Sequence, residues 1–204
     1  MSTARAHRWW QVTRVIALLV LGMSAFALFA HARAAAEAES VHAVKAAFLM
    51  RFGEYVDWPA EHVFTPEATI AVIGAPEVAA ELRRMAPGRS VQGKPIAIAE
   101  LRTLQQVRGH EYMLYVGEAA RPAARQSLQI VTERHQPVLV VADWQGALED
   151  GAMINFIVHD QLVRFEVSVE TARAAGLRPS SRLLAVAERV VGMDSLRDED
   201  APTL

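Results

Sequence analysis

The side chains able to do chemistry are few and scattered. Beyond residue 34 the histidines are His42, His62, His110, His135 and His159, with no H-E-x-x-H or H-x-H spacing among them. A metal site would need those residues to converge over long range, which their spacing does not imply. The chain has no cysteine, which excludes a thiolate nucleophile, a disulfide framework and a cysteine-ligated zinc or iron–sulfur module. There is no G-x-S-x-G elbow, and Ser180-Ser181 reads as the start of a helix rather than as a nucleophile. Gly74-Ala75-Pro76-Glu77 follows an apolar run, where a phosphate loop would sit. It matches neither G-x-G-x-x-G nor a Walker motif, and Pro76 removes an amide that an anion would use, so it reads as a tight strand-to-helix turn. Asp143-Trp144 is the pair with most to offer. A carboxylate beside an aromatic suits a cationic or polar ligand; it equally suits a loop in which Asp143 bonds backbone amides and Trp144 covers the core. Trp58 is the third candidate for ligand or partner contact, in a position that also suits packing. This inventory offers no catalytic constellation, no metal-ligand spacing and no cofactor motif.

These residues must be positioned by the apolar periodicity around them. Ser40 is a plausible cap for a helix through about Tyr55, with Val41, Val44, Phe48, Phe52 and Tyr55 on one stripe and Lys45 and Arg51 off it. Pro59 pushes Trp58 out of helical geometry. Residues 69–74 (TIAVIG), 94–99 (KPIAIA), 112–116 (YMLYV) and 137–142 (PVLVVA) read as strands, the second near an edge because Pro95 cannot donate to a ladder. Helices are expected between them over 77–85, 101–107 and 122–134. Strand–helix alternation of this kind argues for a mostly parallel α/β sheet with helices on both faces. Residues 153–158 and 162–167, separated by His159-Asp160-Gln161, read as an antiparallel hairpin. Alternation in its second strand makes the face of Arg164, Glu166 and Ser168 the wetter one. Terminal helices over 170–175 and 181–191 complete the pattern, the last capped by Ser180. The placement of Asp143-Trp144 just past the carboxyl end of a parallel strand is where open sheets build their sites.

Charge is segregated along the 204 residues. Residues 1–34 hold Arg5, Arg8, Arg14 and Arg33 with no acid, leaving 17 basic against 23 acidic groups in the rest. A body of that sign has no electrostatic reason to bind nucleic acid. Arg5, Arg8 and Arg14 precede an apolar core over 15–30 and then several A-x-A sites, the pattern of a cleavable signal peptide. The apolar core would span about 24 Å, short of a roughly 30 Å hydrocarbon layer. The expected organisation is a signal peptide over 1–34 (cleaved near Ala34, with Ala32 and Ala36 as alternatives) and an Ala-rich linker over 35–40. A single α/β domain over 41–192 and a loose acidic tail over 193–204 follow. The exported chain would be periplasmic, with no membrane anchor after cleavage.

Six segments together resemble the YfiR-like (YfiR/HmsC) periplasmic regulators. They are the stretch from Lys45 to Pro59, Y-M-L-Y-V from Tyr112, P-V-L-V-V-A-D ending at Asp143, G-A-M-I-N-F-I-V from Gly151, V-R-F-E-V-S from Val163, and A-G-L-R-P-S-S-R-L-L-A-V-A from Ala175. They follow the family's order and cover the domain end to end. The resemblance implies a regulator that binds the periplasmic sensory domain of an inner-membrane signalling protein, a diguanylate cyclase above all, and holds its output down. It implies a protein that is not an enzyme, with no catalytic residues and no cofactor. Many members carry a cysteine just before the Y-M-L-Y-V strand, where this chain has Gly109-His110-Glu111, so redox control through disulfides is excluded here. A periplasmic small-molecule-binding module using the sheet edge near Asp143 is the alternative reading. The sequence leaves open whether the chain forms a homodimer.

Overall fold

Apolar, β-branched strands lying side by side set the frame. The computed structural model describes residues 41–60, 66–124, 128 and 137–192. The expected leader, linker and acidic tail lie outside them. Helix α1, residues 41–52, tightens into a 3-10 turn over Gly53–Tyr55 and a short strand β1 (Val56–Asp57). Next come β2 (Ala68–Ile73), α2 (Pro76–Met85), β3 (Ser90–Val91), β4 (Lys94–Leu101), β5 (Met113–Val116) and α3 (Arg121–Ala124). The rest of the helix expected over 122–134 is outside the described residues except for position 128, which is helical. Then follow β6 (Leu139–Ala142), β7 (Ile154–His159), β8 (Leu162–Ser168), α4 (Val169–Ala174), β9 (Arg178–Pro179), α5 (Ser181–Val186) and β10 (Arg189–Val191).

The main sheet has the order β10-β8-β7-β6-β5-β2-β4-β3. Strands β4, β2, β5, β6 and β7 are parallel, and β8 turns back antiparallel to β7. Every residue of β5 and β6 is buried, as a strand covered on both faces requires. The chain passes from β2 outward to β4 and then returns across β2 to β5. With right-handed crossovers, that reversal puts successive connections on opposite faces of the sheet. The mixed α/β architecture is therefore the one expected, with its C-terminal hairpin. The hairpin closes through Asp160 and Gln161, at φ 49° and 65°. That is the two-residue geometry matching strand twist, and it lets His159 join the strand rather than the turn.

Four local expectations need correction. First, the buried stripe of α1 is rotated from the one expected. Val44 is 41% exposed, whereas Lys45 is buried beside Ala46, Leu49, Met50 and Phe52. An ion pair, described below, carries the lysine inward. Second, residues 101–107 form no α-helix: β4 runs on to Leu101, and only a 3-10 turn over Leu104–Gln106 follows, closed by a Thr103–Gln106 capping box. Third, the polar face of β8 is not a solvated one, since Glu166 and Ser168 are buried. Fourth, the last expected helix stops at Val186, and Arg189–Val191 pairs parallel with β8 as the edge strand β10. The run Arg189-Val190-Val191 has strand composition, and Glu166 provides a partner that draws it onto the sheet.

The apolar centre between α1 and the sheet is aromatic. Phe52 packs against Phe156 and Phe165 with ring centroids 5.6 and 5.1 Å apart, and Phe48 lies 5.6 Å from Phe165. Below it, β1 pairs antiparallel with β9, and Ser180 N–H donates to the Tyr55 carbonyl at 2.8 Å, tying the end of α1 to the start of α5.

Candidate functional site

The topological switch point between β2 and β5 is closed by backbone. Gly117 N–H donates to the Ile73 carbonyl at 2.8 Å, and a Cβ on Gly117 would stand 2.5 Å from the Gly74 oxygen. Gly74 itself has φ +66°, and its own Cβ would strike Ala120 at 2.7 Å. Such contact leaves no room for a phosphate between them, and only a recess of about 350 Å³ walled by alanines and Arg102 remains beside it. The larger opening lies further along the sheet. β7 starts level with the end of β6, pairing Ile154 with Val141 and Asn155 with Ala142. Its remaining four residues run past the carboxyl edge by about 13 Å. Between this projecting hairpin and the loops after β5 and β6 is a cleft of about 990 Å³.

Two polar clusters stand at its walls, buried except for the half-exposed Arg189, with Tyr115 behind the first. In the first, Lys45 Nζ donates to Asp143 Oδ2 at 2.8 Å, and the Tyr115 hydroxyl donates to the same oxygen at 2.5 Å. The side chains of Lys45 and Asp143 are 11% and 9% exposed. Burial pushes the Tyr115 phenol well above its ordinary pKa, and the adjacent Asp143 charge and their hydrogen bond push it further. Tyr115 is thus a fixed donor, not a base. In the second group, Asn155 Nδ2 donates to Glu166 Oε1 at 2.9 Å, while Arg189 Nε donates to Glu166 Oε2 at 2.6 Å. Asp143 Oδ1 and Asn155 Oδ1 are buried without a hydrogen-bond partner.

The three residues singled out by sequence are not gathered in one place. Asp143 and Trp144 both line the cleft. Trp144 is 2% exposed and donates through Nε1 to Asp150 Oδ2 at 2.9 Å, which folds the loop after β6 back on itself. Trp58 stands at the opposite edge of the sheet. It donates to the Pro137 carbonyl at 2.8 Å and stacks on Tyr112 with centroids 4.8 Å apart. Pro137 and Asp143 bracket β6, a separation of about 20 Å. Sequence reasoning missed Lys45, Tyr115, Asn155, Glu166 and Arg189. The available signals were a lysine flanked by alanine in an apolar helix, and single polar residues inside strands that burial on both faces should keep apolar. Among the described residues no group of three or more His, Asp and Glu side chains is placed to hold a metal ion, nor is any helix long and apolar enough to cross a membrane.

None of the curated proteins compared matches the chain. Among solved structures, a conserved domain protein from Vibrio cholerae O1 biovar El Tor shares 12% identity at a TM-score of 0.47, over 64% of this chain and 57% of that one. The ABC domain in complex with L-Trp from Streptococcus pneumonia shares 9% at 0.42, over 70% of this chain and 60% of that one. The chain therefore spans less than two thirds of either, and likenesses this remote say nothing of function. The family profile described as YfiR/HmsC-like matches residues 42–188, from the start of α1 to the residue before β10. The chain belongs to the YfiR/HmsC-like family.

Proposed function

We propose that the protein is an exported periplasmic regulator that binds the sensory domain of an inner-membrane diguanylate cyclase and represses its cytoplasmic output. The observation that carries this reading is membership of the YfiR/HmsC-like family over nearly the whole folded domain. The basic leader and A-x-A sites support export, with cleavage near Ala34. Asp143 and Trp144 are the proposed ligand or partner contacts. Trp58, at the other edge of the sheet, would meet a partner separately. The test is capture of the tagged, exported chain from cross-linked membranes. A membrane protein with a periplasmic loop and a cyclase domain should co-purify; recovery of the chain alone, under conditions that retain a known periplasmic complex, would count against the proposal.

The cleft of about 990 Å³ favours a second reading, a periplasmic small-molecule-binding module. Its volume is in the range of ligand sites, and its lining is more polar than most of them, which suits a polar ligand. The two readings are compatible if a ligand sets the regulator's state.

A further inference from the structure

The walls of the carboxyl-edge cleft are short of hydrogen-bond donors. Asp143 has Oδ2 filled by Lys45 and Tyr115 and Oδ1 left without a partner. Asn155, 2% exposed, is oriented by its donation to Glu166, which points its own orphan Oδ1 the other way along the amide. An acceptor buried without a donor has lost its water for nothing, so two at one opening are a standing demand for N–H or O–H groups. Charge points the same way. Five carboxylates and three cations line the cleft, and two of those cations, Lys45 and Arg189, are already held by Asp143 and Glu166. Glu118 and Glu149 stand exposed at the rim, Glu149 3.8 Å from Arg189. An anion would meet this excess of carboxylates, with Arg121 alone of the three lining cations outside an ion pair with Asp143 or Glu166.

We propose that this cleft binds an organic cation carrying several N–H donors, a guanidinium or an alkylammonium, which supplies Asp143 Oδ1 and Asn155 Oδ1. Both oxygens are buried, on residues that line the cleft. The exposed Glu118 receives the cation first, and binding then requires that the two buried oxygens be uncovered. The proposal deepens the small-molecule reading of the cleft and does not depend on the regulatory one. The same chemistry comes from two sources, a free small amine or a basic side chain of a partner protein.

The probes are agmatine, which carries both head groups, and N-acetyl-arginine amide, which presents a guanidinium on a blocked backbone. Each is titrated by calorimetry against the purified domain. Saturable binding of agmatine alone assigns a free amine; binding of the blocked arginine, with or without agmatine, assigns a partner side chain. Asp143→Asn should weaken binding about 10-fold or more, the scale of one charge-assisted hydrogen bond. Because Asp143→Asn leaves Lys45 buried without its counter-charge, the double variant Lys45→Met, Asp143→Leu is measured beside it. That variant replaces the pair with apolar residues of similar volume, should keep the fold, and should abolish binding. Absence of saturable binding by either probe up to about 10 mM, weaker than any useful affinity, would overturn the proposal. So would unchanged affinity in the folded double variant. Neither outcome bears on the cyclase reading, which is judged in cells.

Discussion

Lys45 and Asp143, 98 residues apart in the chain, meet at 2.8 Å and fasten the start of α1 to the end of β6. Both side chains are about nine-tenths buried. In that setting the loss of one partner matters more than the worth of the pair, because the other charge is stranded away from water. Lys45→Met should therefore lower stability by about 3–5 kcal/mol in urea unfolding, and the double variant Lys45→Met, Asp143→Leu by much less. Equal losses in both would show that the pair is effectively solvated.

The aromatic cluster under α1 gives a graded test. Phe52 is 1% exposed and touches Phe156 and Phe165, whereas Phe48 on the same helix is half-buried. Phe52→Ala should cost about 3–5 kcal/mol and Phe48→Ala clearly less, read from the same denaturation curves. The reverse order would mean that α1 is turned on its axis relative to the structure.

That turn was the least legible part of the fold. The strands and their order of appearance follow from composition, because TIAVIG, YMLYV and PVLVVA are apolar in a way only a doubly covered sheet uses. The hairpin follows from two apolar runs across a short polar gap. The stripe of α1 was misread because apolar periodicity treats Lys45 as surface. Its burial depends on a carboxylate 98 residues away, and no local window contains both. The same holds for Glu166: alternation in β8 marks it as outward, and only the return of Arg189 as β10 makes burial tolerable. Asp143-Trp144 was visible as a pair at a strand end, whereas the partners that make a cleft of it were not.

Alkaline pH separates two tyrosines from ordinary ones. Tyr115 and Tyr112 both have phenol pKa values raised by burial first, then by Asp143 and Glu54 respectively. Above about pH 10 the unfolded chain releases these protons while the folded chain holds them. Stability is thus whole below about pH 10 and falls as pH rises toward the raised values. Ultraviolet titration of tyrosinate should show both phenols silent until the fold opens. Ionisation of all three tyrosines near pH 10 in a chain that is still folded would contradict their burial.

Two serines act as caps. Ser168 Oγ accepts from Thr171 N–H at 3.3 Å and Ser180 Oγ from Leu183 N–H at 3.4 Å. Ser168→Ala and Ser180→Ala should each cost about 0.5–1 kcal/mol in thermal or urea unfolding. A loss of several kcal/mol at either would assign it more than a cap.

Cyclic di-GMP in the producing cell measures the proposed brake on a cyclase most directly. Deleting the gene should raise the nucleotide, and re-expressing the full chain should restore the low level. The same chain made without residues 1–34 should not restore it, because the proposed contact lies in the periplasm. An unchanged cyclic di-GMP level in the deletion strain, under conditions where the protein is abundant, would contradict the account.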